Sequence, residues 1–459
     1  MFGSLKKLFG HTAAVAVPPS AAIATPQPQP QPQPQPKPQP QPQPQPQPAT
    51  KDLPFLRREA IFDRDDRLSG HLFYLRQARL TADGDPARQG SLDQILLDTL
   101  NASPEAWNTQ RAFIPLSSSS LSFAAVDQLK TANIVLLIQL AAEAEADQLR
   151  TRISELRQRG LQIGLFRQPR HPLFSQVIPL ADYAVIDIAG NEASAARDFS
   201  AAARGSGQSI QLLACNIETP DDHRFCRQWH YSAFHGKFAS APPASAHQPM
   251  ADPHKALLLN LLRLVQNEES ETAEIAEAMK HDPLLSFRIL RYLNSPALGL
   301  SHHIDSLSQA LIILGRQRLS RWLAVLLFSV REPKIDDWLL IETALTRGRL
   351  MEILGEQVMP GKPHDPLFLT GIFSCLERLL RRPLPELVSD LALDPQIRQA
   401  LLEQRGPYAP ILAVALACEN TDQENLKATA QASGLTAEQI NRAQLSAIAW
   451  ASEVTEYWE

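Results

Sequence analysis

The fold is constrained most by residues 282–315, because this stretch contains start and stop signals for two helices. Its sequence is DPLLSFRILRYLNSPALGLSHHIDSLSQALIILG. An aspartate before a proline is a favoured helix start, and the apolar residues that follow recur at helical spacing. An Asn-Ser-Pro sequence interrupts that helix, a capping box starts the next one, and a glycine ends it. The positions that carry these signals are Asp282, Asn294, Ser295, Ser306 and Gly315. The pattern predicts two helices joined by a short loop, which is also compatible with a hairpin of an ordinary bundle.

The order of residues in this stretch closely resembles the HDOD domain, an all-helical relative of the HD-type phosphohydrolases in bacterial signalling proteins. The shared pattern is DPxLxxRxLRxxNSPxxG followed by SLxxALxxLG. The resemblance runs from about Lys255 to the C-terminus, and apolar stripes at helical spacing continue through most of that region. It implies a helical bundle over residues 255–459.

Composition indicates a globular protein with two or three domains, since the 459 residues are 44% hydrophobic and 20% charged. A net charge of -5 gives no support for wholesale nucleic-acid binding. The four cysteines are scattered without metal-ligand spacing, which favours core thiols in a reducing cytoplasm. Because no apolar run reaches about 18 residues, we expect no transmembrane segment.

Near the N-terminus the chain alternates glutamine and proline from Thr25 to Pro48. Proline at every second position removes amide donors and fixes φ, so neither helix nor sheet can form there. An extended polyproline II spacer is expected instead, and we predict that residues 1–52 are a disordered tail. The opening MFGSLKKLFG lacks the apolar region of a secretory signal. Contact of this segment with a membrane surface or a partner is the alternative to disorder.

Between residues 53 and 242 short apolar runs alternate with helical stretches, which predicts parallel strands with crossover helices. This alternation alone does not separate a barrel from an open sheet. The segments REAIFDRDDRLSGHLFYLR, FIPLSSSSL, GLQIGLF, LADYAVIDI, LLACNIET and YSAFHGKFAS resemble, in order, the EAL domain. That family is a (β/α)₈ barrel that hydrolyses cyclic di-GMP. The region is short for such a barrel, so trimmed helices are expected.

The EAL resemblance implies a site at the C-terminal ends of the strands, where the family's carboxylates hold two divalent metals. The corresponding positions of this chain are Leu72, Pro115, Leu137, Phe166, Arg167, Val185, Cys215, Glu218 and His235. Glu218 keeps its family residue, and Asp187 remains close to Val185. Because Glu218 alone cannot hold two metals, the resemblance implies that the chain is not an enzyme and carries no metal or cofactor. Arg167 suits a phosphate group, with a structural salt bridge as the alternative.

In the helical half, the His-Asp pair of HD hydrolases would fall on Ser374 and Cys375, so the resemblance implies that this site is lost as well. The actual His364-Asp365 pair lies between prolines and is expected to form a turn with a helix cap. Arg318 and Arg321 flank Trp322 and are predicted to be exposed, either as a surface for an acidic partner or as a solvated face.

Together these observations predict a degenerate EAL-like α/β barrel over residues 53–242, a linker at 243–254 and an HDOD-like helical bundle at 255–459. The predicted function is that of a non-catalytic, cytoplasmic bacterial signalling protein, which binds regulatory proteins in a pathway linked to cyclic di-GMP. Two alternatives stay open: a receptor that binds cyclic di-GMP without hydrolysis, and a phosphodiesterase with a relocated metal site.

Overall fold

A computed structural model describes most of the chain from Pro54 onward. The described residues are 54–75, 86–102, 111–129, 133–189, 191, 193–205, 209–238, 252–282, 285–287, 289–290, 304, 306–329, 335–391, 393–420 and 422–456. The predicted N-terminal tail lies outside them, as do Asn294 and Ser295. No helix of the described residues is long and apolar enough to cross a membrane.

The first half of the structure is a closed barrel in which neighbouring strands follow chain order. Its strands are β1 Leu56–Asp63, β2 Leu68–Leu75, β3 Arg111–Ser117, β4 Ile134–Gln139, β5 Gln162–Phe166, β6 Tyr183–Asp187, β7 Gln211–Ile217 and β8 Ala233–Gly236. Strand β1 runs antiparallel to both of its neighbours, and all other adjacent pairs are parallel. The sequence pattern did not separate an open sheet from a barrel, and the structure resolves this in favour of the barrel.

The strands are buried on both faces, which explains their continuous apolar runs. In β4, for example, the five residues from Ile134 to Ile138 are all buried. Inward side chains such as Val135 and Leu137 fill the barrel, whereas Leu136 and Ile138 pack beneath the outer helices. At Gly164 on β5 an added Cβ would lie 2.5 Å from a methyl carbon of Leu137, so this glycine makes room for the interior packing.

Helices cover the outer side of the parallel strands. They are α1 Pro86–Asn101, α2 Ala124–Asp127, α3 Ala146–Gln158, α4 Phe174–Val177, α5 Ala193–Gly205 and α6 Pro220–Gln228. Helix α6 shows how local sequence sets a boundary: Thr219 accepts a hydrogen bond from the amide of Asp222, and Pro220 takes the first turn.

The second half is helical in its described residues. Its helices are α7 Pro253–Gln266, α8 Thr272–Lys280, α9 Leu307–Leu327, α10 Ile335–Val358, α11 Asp365–Phe373, α12 Leu376–Leu380, α13 Leu384–Asp390, α14 Pro395–Arg398, α15 Ala409–Glu419, α16 Gln423–Ala432 and α17 Ala437–Glu456. A single buried apolar cluster joins most of them, which is the packing expected of a helical bundle. The predicted architecture, a barrel followed by a helical bundle, is confirmed.

Helices α10 and α11 cross at a pair of glycines. A Cβ placed on Gly371 would lie 2.7 Å from the Cα of Gly348. The two backbones can therefore approach closely only because neither position carries a side chain. This crossing fixes α11 against the middle of α10.

The predicted starts and stops in residues 282–315 agree with the structure where it is described. The amide of Leu285 donates to Asp282 Oδ1 at 3.0 Å, and the amide of Gln309 donates to Ser306 Oγ at 3.2 Å. Gly315 has φ of 75°, the left-handed region expected of a helix-ending glycine. A second helical segment follows immediately, so the first segment ends at Gly315 as predicted and α9 consists of two segments that meet there at a kink.

The two halves pack through the β1–β2 hairpin. Strands β1 and β2 are joined without a crossover helix, so the outer face of this hairpin has no covering helix from the barrel itself. Helices α10 and α17 cover it instead. Leu445 of α17 belongs to the apolar cluster of the barrel, and Ile335 and Leu339 of α10 pack against a second barrel cluster. The main-chain amide of Leu56 also donates to Asn441 Oδ1 at 2.9 Å.

Candidate functional site

The candidate site is the barrel mouth formed where the parallel strands end. Beneath it the barrel is filled by an apolar plug, whose buried members include Leu72, Phe113, Val135, Leu137, Val185, Leu213 and Cys215. Burial, with Asp187 and Glu59 nearby, raises the pKa of the Cys215 thiol and keeps it neutral. The polar groups of the mouth lie in the layer above this plug, because inward side chains at the strand ends are the first to reach solvent.

A belt of polar side chains follows the mouth from β1 to β6. His235 Nε2 donates to Glu59 Oε2 at 2.6 Å, while the amide of Asn216 donates to His235 Nδ1 at 3.3 Å. These two partners define the tautomer, with the proton on Nε2. The Asn216 side chain in turn donates to Asp187 Oδ2 at 2.9 Å. Asn216 has φ of 56°, a left-handed conformation that lets one residue contact both His235 and Asp187.

Glu59 is the electrostatic centre of this belt. Burial opposes its ionisation, but His235, Arg57 and a hydrogen bond from Tyr74 outweigh burial and lower its pKa to about 2. Arg57 pairs with Glu59 and lies over the ring of Tyr74, 5.8 Å from its centroid. Glu59 therefore stays ionised at neutral pH.

Arg167 extends the polar belt beyond β6. Its Nη1 donates to Asn191 Oδ1 at 2.8 Å, and the Asn191 side chain donates to the carbonyl of Asp187 at 2.8 Å. This side chain is half-buried and is bound to a neutral amide, not to a carboxylate, so its positive charge is available to a ligand.

A crevice opens on the other side of the mouth, between α1 and the ends of strands β2 to β5. It is shallow and open to solvent, and the space it encloses is about that of one water molecule. The lining includes Tyr74, Asp93, Pro115, Gln139 and Phe166. The crevice therefore offers aromatic, apolar and amide groups at the mouth but no deep pocket.

Asp93 is the buried polar group of the crevice, with 2% of its surface exposed. It accepts hydrogen bonds from Gln89 Nε2 at 2.7 Å and from the amide of Ser117 at 2.9 Å. Burial raises its pKa, and the hydrogen bonds it accepts only partly offset that effect.

The predicted site positions divide into four groups. Leu72, Leu137, Val185 and Cys215 belong to the apolar plug, and Pro115 and Phe166 line the crevice. Arg167 and His235 belong to the polar belt, and Glu218 follows β7 with an exposed side chain. Sequence reasoning missed Glu59, Asn216 and Asp93. For Glu59 a signal was present, since it lies two residues before the inward Ile61 and so shares its face of β1.

Among the described residues no group of three or more His, Cys, Asp or Glu side chains converges to hold a metal ion. Glu59 is already engaged by His235 and Arg57, and Asp187 by Asn216. The residues described at the mouth therefore do not fit a dinuclear metal centre.

In the helical half, the prediction that Arg321 is exposed is wrong. Its side chain is 2% exposed and lies between α10 and α11, with Nη1 and Nη2 donating to the two oxygens of Glu352 at 2.6 and 2.8 Å. Nη1 also reaches Asp365 Oδ1 at 3.0 Å, and the guanidinium lies 3.8 Å from the ring centroid of Phe368. The prediction failed because a buried arginine needs partners from other helices, which local sequence does not show. Arg318, on the same helix, is exposed as expected.

Ser374 and Cys375, the positions that would carry the HD pair, lie beside a polar pair formed by two other residues. Arg347 donates to both oxygens of Glu419, at 2.7 and 2.6 Å, and to Ser374 Oγ at 2.5 Å. Burial works against the charge of Arg347, but the adjacent Cys375 and Glu419 raise its pKa. His364 precedes α11 and Asp365 is its first residue, but the predicted side-chain cap does not form there, and Asp365 pairs with Arg321 instead.

A closed barrel with a polar mouth, packed on a helical bundle, defines a two-domain protein. Residues 253–391 match the HDOD domain. The predicted resemblance of the helical half to the HDOD domain is thereby confirmed.

Two relatives align with both halves. The cyclic di-GMP phosphodiesterase CdgJ of Vibrio cholerae is 25% identical over 311 residues, which cover 67% of this chain and 71% of that protein. YuxH of Bacillus subtilis, an uncharacterised protein, is 24% identical over 380 residues, which cover 80% of this chain and 91% of that protein.

Solved structures similar to the chain contain EAL domains. The Bacillus subtilis YkuI protein, solved with cyclic di-GMP and calcium, has a TM-score of 0.33 at 14% identity and covers 50% of this chain and 73% of that one. The EAL domain of Mycobacterium smegmatis DcpA has a TM-score of 0.33 at 18% identity, and the match covers 40% of this chain and 89% of that one.

The prediction that the chain is not an enzyme is contradicted by the relationship to CdgJ, which is named as a phosphodiesterase. The prediction compared family positions one by one. It did not consider acidic and basic groups that reach the same mouth from other positions, such as Glu59, Arg57 and Asp93.

Proposed function

We propose that this chain is a regulatory protein of a pathway linked to cyclic di-GMP, which takes the nucleotide at the barrel mouth and binds partner proteins through its helical half. The observation that carries the proposal is the arrangement of the mouth, where the guanidinium of Arg167 and the aromatic crevice flank one opening. The relationship to CdgJ, which extends over both halves, supports the choice of nucleotide.

The mouth offers the two kinds of contact that a cyclic dinucleotide requires. Phosphate groups are bound well by arginine, and the Arg167 guanidinium is paired with a neutral amide that a phosphate can displace. Purine bases need apolar faces together with hydrogen-bonding groups at their edges, and Tyr74, Phe166 and Gln139 provide these in the crevice.

Binding is tested with the full chain by equilibrium dialysis against cyclic di-GMP. We expect Arg167→Ala to weaken binding by about 10- to 100-fold, since a hydrogen bond to a charged group contributes about 1.5–3 kcal/mol. Arg204→Ala is the matched control, because Arg204 is an exposed arginine in the last turn of α5. Equal affinity of wild type and Arg167→Ala would contradict the assignment of the mouth. Chromatography of the same samples, with magnesium or manganese added, reports whether the bound nucleotide is cleaved.

Partner binding is supported by the surface of α9. Ile312 is 73% exposed, Ile313 is 39% exposed, and Arg318 is exposed a little further along the helix. An apolar side chain next to a cation suits a regulatory protein with an apolar surface edged by acidic groups.

Capture of proteins of the same pathway by the full chain tests this part. We expect the double variant Ile312→Glu, Arg318→Glu to lose the captured protein. Val358→Glu should keep it, because Val358 is an exposed apolar residue at the end of α10, with 36% exposure. If Val358→Glu and the double variant behave alike, the α9 surface is not the binding surface.

A further inference from the structure

The β1–β2 hairpin presents alternate residues to two different environments. Glu59 and Tyr74 point inward to the mouth, whereas Arg58 and His71 point outward to α10 of the helical half. The hairpin is therefore a wall of the mouth that the other half of the protein holds from outside.

A buried cluster of three ionisable groups fastens this outer face to α10. Glu342 Oε1 accepts from Arg58 Nη2 at 2.8 Å and from His71 Nε2 at 2.6 Å. The His71 side chain is 5% exposed, that of Arg58 11% and that of Glu342 16%. Two donors thus share a single carboxylate oxygen inside the interface.

The charges of the cluster balance only when His71 is neutral. Arg58 and Glu342 then cancel, and the neutral imidazole donates through Nε2. Protonation of His71 would add a second cation to one carboxylate. Arg58 Nη1 is already buried without a hydrogen-bond partner, so the cluster has more donors than acceptors before any proton is added. An uncompensated buried charge is strongly unfavourable.

The surroundings of His71 support the same conclusion. Burial lowers the pKa of His71 from 6.5; Glu342 opposes this and Arg58 adds to it. Burial also disfavours the charge of Glu342, but Arg58 and His71 outweigh it and lower its pKa to about 2. These are the charged groups that face the imidazole, Arg58 from β1 and Glu342 from α10. From α17, the residue that reaches β1 is Asn441, which is uncharged.

We propose that the Arg58–Glu342–His71 cluster is an acid-sensitive latch that holds the β1–β2 hairpin on α10 near neutral pH and releases it when His71 is protonated. The sign follows from linkage. A histidine whose pKa is lowered in the docked state contributes its stabilisation fully above pH 6.5, and this is lost as the pH falls from 6.5 towards the docked pKa. Release frees strand β1, whose inner face carries Glu59. The latch therefore couples the docking of the helical half to the position of this wall of the mouth.

The latch is tested on the full chain by hydroxyl-radical footprinting with mass spectrometry, between pH 7.5 and 5.5. The reporter is Phe73, which is on the outer face of the hairpin next to His71 and is 4% exposed. With a released-state pKa of 6.5, the released fraction and the modification of Phe73 should rise over this range, by at most about tenfold. Phe113, inside the barrel and 0% exposed, should not change.

Three variants separate the latch from general acid sensitivity. His71→Gln keeps a donor near the Nε2 position but does not titrate, so Phe73 modification should become independent of pH. His281→Gln, at an exposed histidine after α8, should keep the rise. Glu342→Gln removes the shared carboxylate and should raise Phe73 modification at both pH values.

The proposal is overturned if Phe73 modification in the wild type stays flat with pH, or if Phe113 rises in parallel with Phe73. It is equally overturned if His71→Gln retains the rise. The wild-type profile alone can decide the matter, so the test does not depend on any variant folding well.

Discussion

Removing the buried guanidinium of Arg321 should be among the most destabilising single changes in the helical half. The Arg321→Ala variant leaves Glu352, whose side chain is 12% exposed, without its main cationic partner. Breaking a buried ion pair in this way typically costs about 3–5 kcal/mol. Arg349 also contacts Glu352, at 2.6 Å, so Glu352 keeps one cationic partner. The cost of losing the Arg321 ion pair should therefore lie near the lower end of that range. The lost stacking on Phe368 adds roughly 1 kcal/mol, so we expect a total near 4 kcal/mol.

The assay is urea unfolding of the full chain at pH 7.5, followed by far-ultraviolet circular dichroism. Arg318→Ala is the matched control, because it removes an exposed arginine from the same helix and should cost less than about 0.5 kcal/mol. The variant that replaces Arg321 by Met and Glu352 by Leu should recover part of the stability, since the buried carboxylate is removed together with its main partner, while Arg349 loses its contact with Glu352.

The pH dependence gives an independent check. Burial opposes the ionisation of Glu352, but Arg321 and Arg349 outweigh it and lower the pKa of Glu352. Its stabilisation is therefore present above the unfolded pKa of 4.5 and is lost as the pH falls below that value. Arg321→Ala should weaken this acid dependence. If Arg321→Ala and Arg318→Ala unfold within 1 kcal/mol of one another, the energetic role assigned to the buried cluster is wrong.

Gln replacement of Glu59 should cost roughly 2–3 kcal/mol at pH 7, because the pKa of Glu59 is lowered to about 2; in the wild type this stabilisation is lost from about pH 4.5 downward, and denaturant titrations at several pH values measure it. Gly371→Ala should lower stability by about 1–3 kcal/mol in thermal unfolding, because its Cβ would meet Gly348 at 2.7 Å, and an unchanged melting temperature would contradict the close crossing. Ser306→Ala should cost about 1 kcal/mol through loss of its cap in the same assay, whereas Ser306→Thr should cost little. Deletion of residues 1–50 should change the melting temperature by less than roughly 2 °C, since a Gln-Pro repeat cannot bury apolar surface; a larger drop in calorimetry would contradict this.

Much of the fold could be predicted from sequence because local signals were strong. The apolar run of β4 is buried on both faces, as expected of a parallel strand in a barrel. The caps at Asp282 and Ser306 depend on neighbours a few residues away, so the chain itself specifies them. The same locality explains the start of α11 at Asp365.

The polar interactions that matter for the site could not be predicted in this way. Glu59 and His235 are 176 residues apart in sequence and meet only because the barrel closes β1 on β8. Arg321 looked like a surface residue because its partners lie on α10 and at the start of α11. Nothing in the sequence around His71 indicates that Glu342 will reach it. Long-range pairing of charges is decided by tertiary packing, and a single sequence does not display it.

The placement of α10 and α17 over the β1–β2 hairpin also determines whether the two halves can be produced, or exchanged between related genes, as separate domains. A gene fragment that stops before the helical half would encode a barrel with Phe73 and Leu75 uncovered, and with Arg58 deprived of its carboxylate. Such a fragment should be prone to aggregate when expressed alone and to recover when the helical piece is co-expressed. The barrel and the bundle are thus unsuited to recombination as free modules. A relative that exchanged one half would have to keep the residues that meet across this seam.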